Sequence, residues 1–72
     1  MEEIWKWIPT WEGIFQCSNY GRVKRFYKHG EAIMEMSRDK QGYYRVKLEH
    51  NGRVKSWRIQ RLVATVFHRP LL

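Results

Sequence analysis

Side chains able to do chemistry are few in this 72-residue chain, and most of them are scattered. His29, His50 and His68 lie in three separate segments, none with a cysteine or carboxylate at metal-ligand spacing. No metal site and no cofactor is expected from them. The seven acidic residues sit mostly beside a Lys or Arg, and neither a phosphate-cradling glycine loop nor a nucleophile motif is present. Cys17 is the single cysteine, so it closes no internal disulfide and reads as a small core residue in a reducing compartment. Enzyme activity is therefore not expected of these residues. What does recur is positive charge. In YYRVKLEHNGRVKSWRI, Tyr43 to Ile59, apolar and basic residues alternate on either side of Asn51-Gly52. Cations ordered along a strand suit anions: guanidinium forks match phosphates and guanine edges, while Lys and Ser bind phosphate oxygens.

The charge is uneven along the chain. The formal net is +7, yet residues 1–20 hold Glu2, Glu3 and Glu12 against Lys6 alone. From Gly21 onward there are thirteen Lys and Arg against four acids. A compact domain of this charge gathers polyanions through counterion release. No apolar run approaches the roughly 18 residues of a membrane span, and the acidic start does not read as a signal peptide. A soluble, intracellular-type single domain over 1–72 is expected, with no membrane partner.

The elements that must position these cations are legible from pattern and punctuation. Asn51-Gly52 is the preferred pair for a two-residue type I′ hairpin and sets a register, with His50 opposite Arg53. Counting outward pairs Lys47 with Ser56, Val46 with Trp57, Arg45 with Arg58 and Tyr44 with Ile59. Directly opposed residues share a face. Tyr44, Val46, Leu48, Trp57 and Ile59 then form a core face, and Arg45, Lys47, Glu49, Val54, Ser56 and Arg58 an outer one. Arg45 directly across from Arg58 costs stability unless an anion lies over the pair.

Upstream, Ile14–Cys17 and Arg22–Tyr27 read as a first hairpin around Ser18-Asn19-Tyr20-Gly21. Arg22, Lys24 and Arg25 lie in it. Ala32–Ser37 is expected to add a short strand, and RDKQG, with Arg38 and Lys40, is a turn. Trp5, Ile8 and Trp11 recur at intervals of three, but Pro9 argues against a helix there, so a turn or capping segment is expected. Downstream, Leu62, Val63, Val66 and Phe67 take amphipathic helical spacing, with Pro70 ending the helix. The expected fold is α+β: a small antiparallel sheet built from two hairpins, with one C-terminal helix packed on its apolar face.

These residues also resemble a family. EIWKWIPTWEGIFQCSNYGRVKRF, then GYYRVKLEHNGRVKSWRIQRLVATVF, is similar to the nuclease-associated modular DNA-binding domain (type four) of phage HNH homing endonucleases. Matching positions include Trp5, Ile8, Glu12, Gly13, Phe15, Ser18, Asn19, Gly21, Arg22 and Val23. Gly42, Tyr43, Val46, Leu48, Arg61, Leu62, Val63, Ala64 and Phe67 continue the match. Thr10-Trp11 stands where the family has Gly-Tyr, and Cys17 where it has Val; both read as packing changes. Gln60 replaces the family's His before Arg-Leu-Val-Ala. The resemblance implies a small sheet that docks on duplex DNA, usually beside a nuclease core. That core's His-bearing metal motif has no counterpart in these residues.

The leading expectation is thus a non-catalytic, phage-type module that holds duplex DNA in the host bacterial cytoplasm. Lys24, Lys40, Lys47 and Arg61 are the expected phosphate contacts. Arg22, Arg45 and Arg58 are the expected groove contacts, with Arg25, Arg38 and Ser56 extending the surface. Tyr43 could stack on an exposed base, which keeps single strands and RNA open. A second expectation, from a different class, is a phage inhibitor of a host or defence enzyme, such as a CRISPR effector, acting by protein contact. A third is a domain excised from a longer enzyme.

Overall fold

Alternation makes the strands of this protein, and residues that accept a left-handed backbone make its turns. The computed structural model describes residues 2–67. In chain order the elements are β1 (Trp5–Trp7), β2 (Phe15–Ser18), β3 (Val23–Tyr27), β4 (Gly30–Ile33), β5 (Ser37–Arg38), β6 (Tyr44–His50), β7 (Arg53–Arg58) and α1 (Ile59–Phe67). β1 to β4 form one antiparallel meander and β5 to β7 a second. The helix lies against β2, β6 and β7. The architecture is α+β with antiparallel pairing throughout, and its strands divide into two sheets where one was expected.

Two local differences account for the extra strands. Trp5–Trp7 was expected as a turn or cap, but it pairs with β2, Trp7 opposite Gln16. Only the residues around Pro9 turn, closed by hydrogen bonds from Trp11 N to Ile8 O (2.9 Å) and Phe15 N to Trp11 O (3.1 Å). The expected strand Ala32–Ser37 is split. Its first half belongs to β4 and pairs with β3, while Ser37 pairs with Arg45 of β6. Met34 N still donates to Val23 O at 2.7 Å, so the chain changes sheets just after it.

The β6–β7 hairpin has the expected register, from His50 opposite Arg53 down to Arg45 opposite Arg58. Asn51 and Gly52 both have positive φ, 51° and 81°, as a type I′ turn requires. Val46 and Leu48 are buried, and Trp57 packs beside them. The pairing stops one step short of Tyr44 and Ile59. Ile59 opens the helix instead, and Tyr44 stands 51% exposed rather than in the core.

The Ser18–Arg22 loop is held by its own side chains. The Ser18 hydroxyl is buried and accepts the backbone N–H groups of Tyr20 (3.1 Å) and Arg22 (3.2 Å). Asn19 ties down the N-terminal strand, its Oδ1 accepting Ile4 N–H at 2.7 Å. Gly21 has φ +86°, and a Cβ there would lie 3.2 Å from the Ile59 side chain. Only glycine fits where this loop meets the start of the helix.

One core serves both sheets. Ile8, Trp11, Phe15, Cys17 and Val23 enter from the first sheet, Val46 and Leu48 from the second, and Leu62 from the helix. Burial pushes the Cys17 thiol up to about 11, which suits packing and not reactivity. Ile59, Val63, Val66 and Phe67 flank Leu62, so the short helix is stabilised by the core. Its expected end at Pro70 lies outside the described residues, as does His68.

Thr10 does more than alter packing. It has φ 68°, a left-handed conformation that a β-branched residue adopts only under strain. Its carbonyl accepts Arg53 Nη2–H at 2.6 Å, which holds the strained turn to β7. Thr10→Gly should therefore stabilise the fold by about 1 kcal/mol, raising Tm by roughly 4–8 °C in a thermal melt. Ser18→Ala should act in the opposite sense. It removes the acceptor of two part-buried loop N–H groups and should cost about 1 kcal/mol, seen as a lower urea midpoint with unchanged slope.

Candidate nucleic-acid interface

The ten cationic and polar residues expected to form a binding surface fall into two groups. Arg22, Lys24 and Arg25 belong to the first sheet, and each has partners within the protein. Arg22 forms a two-point pair with Glu3, its Nε donating to Oε2 at 2.8 Å. The Arg22 guanidinium holds the Glu3 carboxyl at about 2, against the opposing effect of burial and with help from the Ser18 hydroxyl. Lys24 pairs with Glu31 at 3.0 Å and lies 4.1 Å over the Trp5 ring. Arg25 crosses between the sheets, donating to the Glu49 carbonyl at 2.7 Å while its guanidinium covers Phe15 and Tyr27. These three cations are thus engaged within the protein.

The second group is gathered on the other sheet. Arg45, Lys47, Ser56 and Arg58 occupy the outer face of β6–β7, in two adjacent cross-strand pairs. Arg61 follows on the first turn of α1. Arg45, Ser56, Arg58 and Arg61 line a shallow depression of about 340 Å³, together with Lys55 and Trp57. Lys47 and Arg61 are exposed and have no ion-pair partner among the described residues. Lys40 is exposed on the neighbouring turn. Arg38, expected in the turn, instead ends β5 opposite Tyr44, lies over the Tyr44 ring at 5.2 Å and reaches the Gly42 carbonyl at 3.3 Å.

The Arg45–Arg58 juxtaposition is balanced from within. Asp39 reaches across from the β5–β6 turn and puts one oxygen, Oδ2, 3.5 Å from Arg45 Nη1 and 3.4 Å from Arg58 Nε. Its other oxygen, Oδ1, accepts the backbone N–H groups of Gln41 (2.9 Å) and Tyr43 (3.0 Å). Burial raises the Asp39 pKa, but those two N–H bonds and the charges of Arg58 and Arg45 outweigh it and hold the carboxyl below its usual range. Arg58 also donates to Gln41 Oε1 at 2.5 Å and stacks on Tyr43, 4.6 Å from the ring centroid. Arg45 Nε reaches Ser56 Oγ at 3.5 Å. The like-charge cost expected from the sequence is therefore offset by a carboxylate of the same chain. One face of Tyr43 is correspondingly taken by Arg58.

Asp39 and Gln41 were missed in the sequence reading. An Asp four residues before Tyr43 in a polar Gly-containing turn is a signal for an Asx turn. Nothing in the sequence says that its second oxygen points at the arginine pair.

Among the described residues no cluster of His, Cys, Asp or Glu could hold a metal ion, and no helix is long and apolar enough to cross a membrane. Fold and surface together define a small α+β module of two antiparallel sheets, with a basic outer face on one hairpin. The chain belongs to the family of the NUMOD4 motif, a nuclease-associated modular DNA-binding domain, whose model matches residues 3–49. It is 38% identical over 63 residues to the DNA endonuclease I-HmuI of Bacillus phage SP01. That match covers 88% of this chain and 35% of the relative. A solved structure of DNA binding and cleavage by the HNH homing endonuclease I-HmuI superposes with a TM-score of 0.76 at 39% identity. It covers 93% of this chain and 36% of that one, so the chain spans about a third of the length of these relatives.

The Arg22–Glu3 pair gives a test by pH. Glu3 has an ordinary value of 4.5 and a folded value of about 2, so it binds its proton more weakly folded than unfolded. The pair's contribution is whole above the ordinary value and is lost as pH falls through the folded one. Glu3→Gln should lower Tm near neutral pH, and the gap to the unsubstituted protein should narrow steadily as pH falls from about 4.5 toward 2. A gap that stays constant with pH would show that the side chain acts through packing alone.

Proposed function

We propose that this chain is a phage-type module that holds duplex DNA through the outer face of β6–β7 and the adjoining turn of α1, without itself cutting it. The observation that carries this reading is the gathering of Arg45, Lys47, Ser56, Arg58 and Arg61 on one side of a hairpin, in a member of a DNA-binding family. Two strands lie about 4.8 Å apart, and with their side chains they fit a major groove about 12 Å wide. β5, with only two residues, flanks the base of the hairpin and leaves its tip clear. Arg45 and Arg58 would face base edges. Lys47, Arg61 and Lys40 would take phosphates, with Ser56 and Arg38 at the margin. Arg22, Lys24 and Arg25, each engaged with partners inside the protein, are left out of the proposed contact set. The family motif is of a binding type and not a catalytic one, which supports a non-enzymatic role for these residues. The bacterial cytoplasm, where phage DNA is handled, is the proposed place of action.

Duplex titrations at several salt concentrations test the reading. About three phosphate contacts should give a slope of log affinity on log salt near −3, at roughly −0.9 per phosphate neutralised. Lys47→Ala and Arg61→Ala should each reduce that slope by about one, uniformly across sequences. Arg45→Ala and Arg58→Ala should each cost about 1–3 kcal/mol and relax selectivity instead. Failure to retain any duplex at about 50 mM salt would sink the proposal.

A further inference from the structure

Asp39 stands in an unusual place for a polyanion-binding surface, because its carboxylate lies among the cations that would meet DNA. Four contacts fix it there. Oδ1 is anchored to its own turn through Gln41 N (2.9 Å) and Tyr43 N (3.0 Å), so the carboxylate cannot swing away without breaking the turn. Oδ2 bridges Arg45 and Arg58 at 3.5 and 3.4 Å. The two guanidiniums are further fixed by Ser56 Oγ, Gln41 Oε1 and the Tyr43 ring. Nη2 of Arg45 and Nη1 of Arg58 have no partner among the described residues. Each arginine therefore keeps donors for a ligand while its plane is held by the protein.

From this arrangement we infer that Asp39 is a specificity-determining residue, which orients Arg45 and Arg58 as a preset fork for base edges and repels phosphate from them. The inference rests on the DNA reading above and deepens it. A carboxylate at this distance cancels one of the two positive charges and leaves the cluster with little drive toward a backbone phosphate. A phosphate approaching either guanidinium must also approach Oδ2, and like charges at that range repel. A guanine edge, which offers neutral N7 and O6 acceptors, carries no such penalty. Restricting the two side chains before binding also removes rotamer entropy that an unheld arginine loses on contact. The hairpin thus gains selectivity at the expense of general affinity, with neighbouring Lys47 and Arg61 left to supply the phosphate contacts.

The test uses the whole chain, Asp39→Asn, and two probes: a labelled 30-base-pair duplex pool of random sequence, and sequences enriched from that pool by the unsubstituted protein. Asp39→Asn should bind the random pool about fivefold more tightly near 100 mM salt, with a salt slope steeper by about one to two as both arginines reach phosphates. Its preference for enriched over random sequence should fall. A merely structural Asp39 predicts weaker binding to both probes with an unchanged or shallower slope, and that result overturns the inference. So does an unchanged slope with unchanged preference, which would mean that phosphate displaces the carboxylate in the complex. A second measurement needs no variant. In the DNA-free protein, the Nε–H resonances of Arg45 and Arg58 should be restricted in motion relative to that of Arg61. Equal mobility overturns the inference even if Asp39→Asn fails to fold. Absence of duplex binding by the unsubstituted chain overturns the DNA reading and this inference together. Retained binding with either contrary result overturns the inference alone.

Discussion

The register of the β6–β7 hairpin decides which residues are core and which are surface, and most of the structure depends on it. Because side chains alternate across a strand, a slip of one residue would carry Val46 and Leu48 into water and turn Arg45 and Lys47 inward. The type I′ turn at Asn51-Gly52 prevents that slip from one end, and the buried side chains prevent it from the other. The first sheet has no separate core of its own. Phe15, Cys17 and Val23 pack into the same cluster as Val46, Leu48 and Leu62, so each sheet completes the other. A domain this small buries a limited share of its surface, and sharing one core between two short sheets makes the most of it.

The strong positive charge is divided between two kinds of work. Arg22, Lys24, Arg25 and Arg53 act inside the molecule, through carboxylates, backbone carbonyls and aromatic faces. Arg22 and Lys24 both approach the Trp5 ring, and Arg53 covers Trp11 at 4.1 Å. Much of the heavy aromatic content is thus used twice, for burial and for seating cations. Lys40, Lys47 and Arg61 are left for solvent or a ligand, and Arg45 and Arg58 are held between the two roles by Asp39. The count of fourteen Lys and Arg overstates how many cations are available for binding, since ion pairing occupies some of them on one side of the molecule.

Residue pattern made a good part of this visible in advance. The α+β class, the hairpin register, the turns that end at Gly21 and Gly42, the buried Cys17 and the Leu62 face of the helix all follow from local rules of alternation, turn chemistry and periodicity. The resemblance to a nuclease-associated DNA-binding module was carried by motif residues that turn out to be structural. Ser18, Asn19 and Gly21 close a loop, tie down the N-terminal strand and admit the helix. The errors lie where one segment is shared between distant partners. Trp5–Trp7 becomes a strand only because β2 offers an edge, and the Ala32–Ser37 segment divides because each half pairs with a different sheet.

By itself, then, the sequence determined the faces of the main hairpin, the turns and the excess of positive charge, since these depend on neighbours within a few residues. The tertiary structure alone decided which cations are occupied. Glu3 meets Arg22 across nineteen positions, Arg25 meets Glu49 across twenty-four, and Thr10 meets Arg53 across forty-three. Asp39 lies only six residues from Arg45, yet it also reaches Arg58 because the hairpin brings that side chain alongside. Charge pairing depends on distance in space, which a linear pattern does not record. For that reason the basic stripe was visible in the sequence, while the carboxylate set between its two central arginines was not.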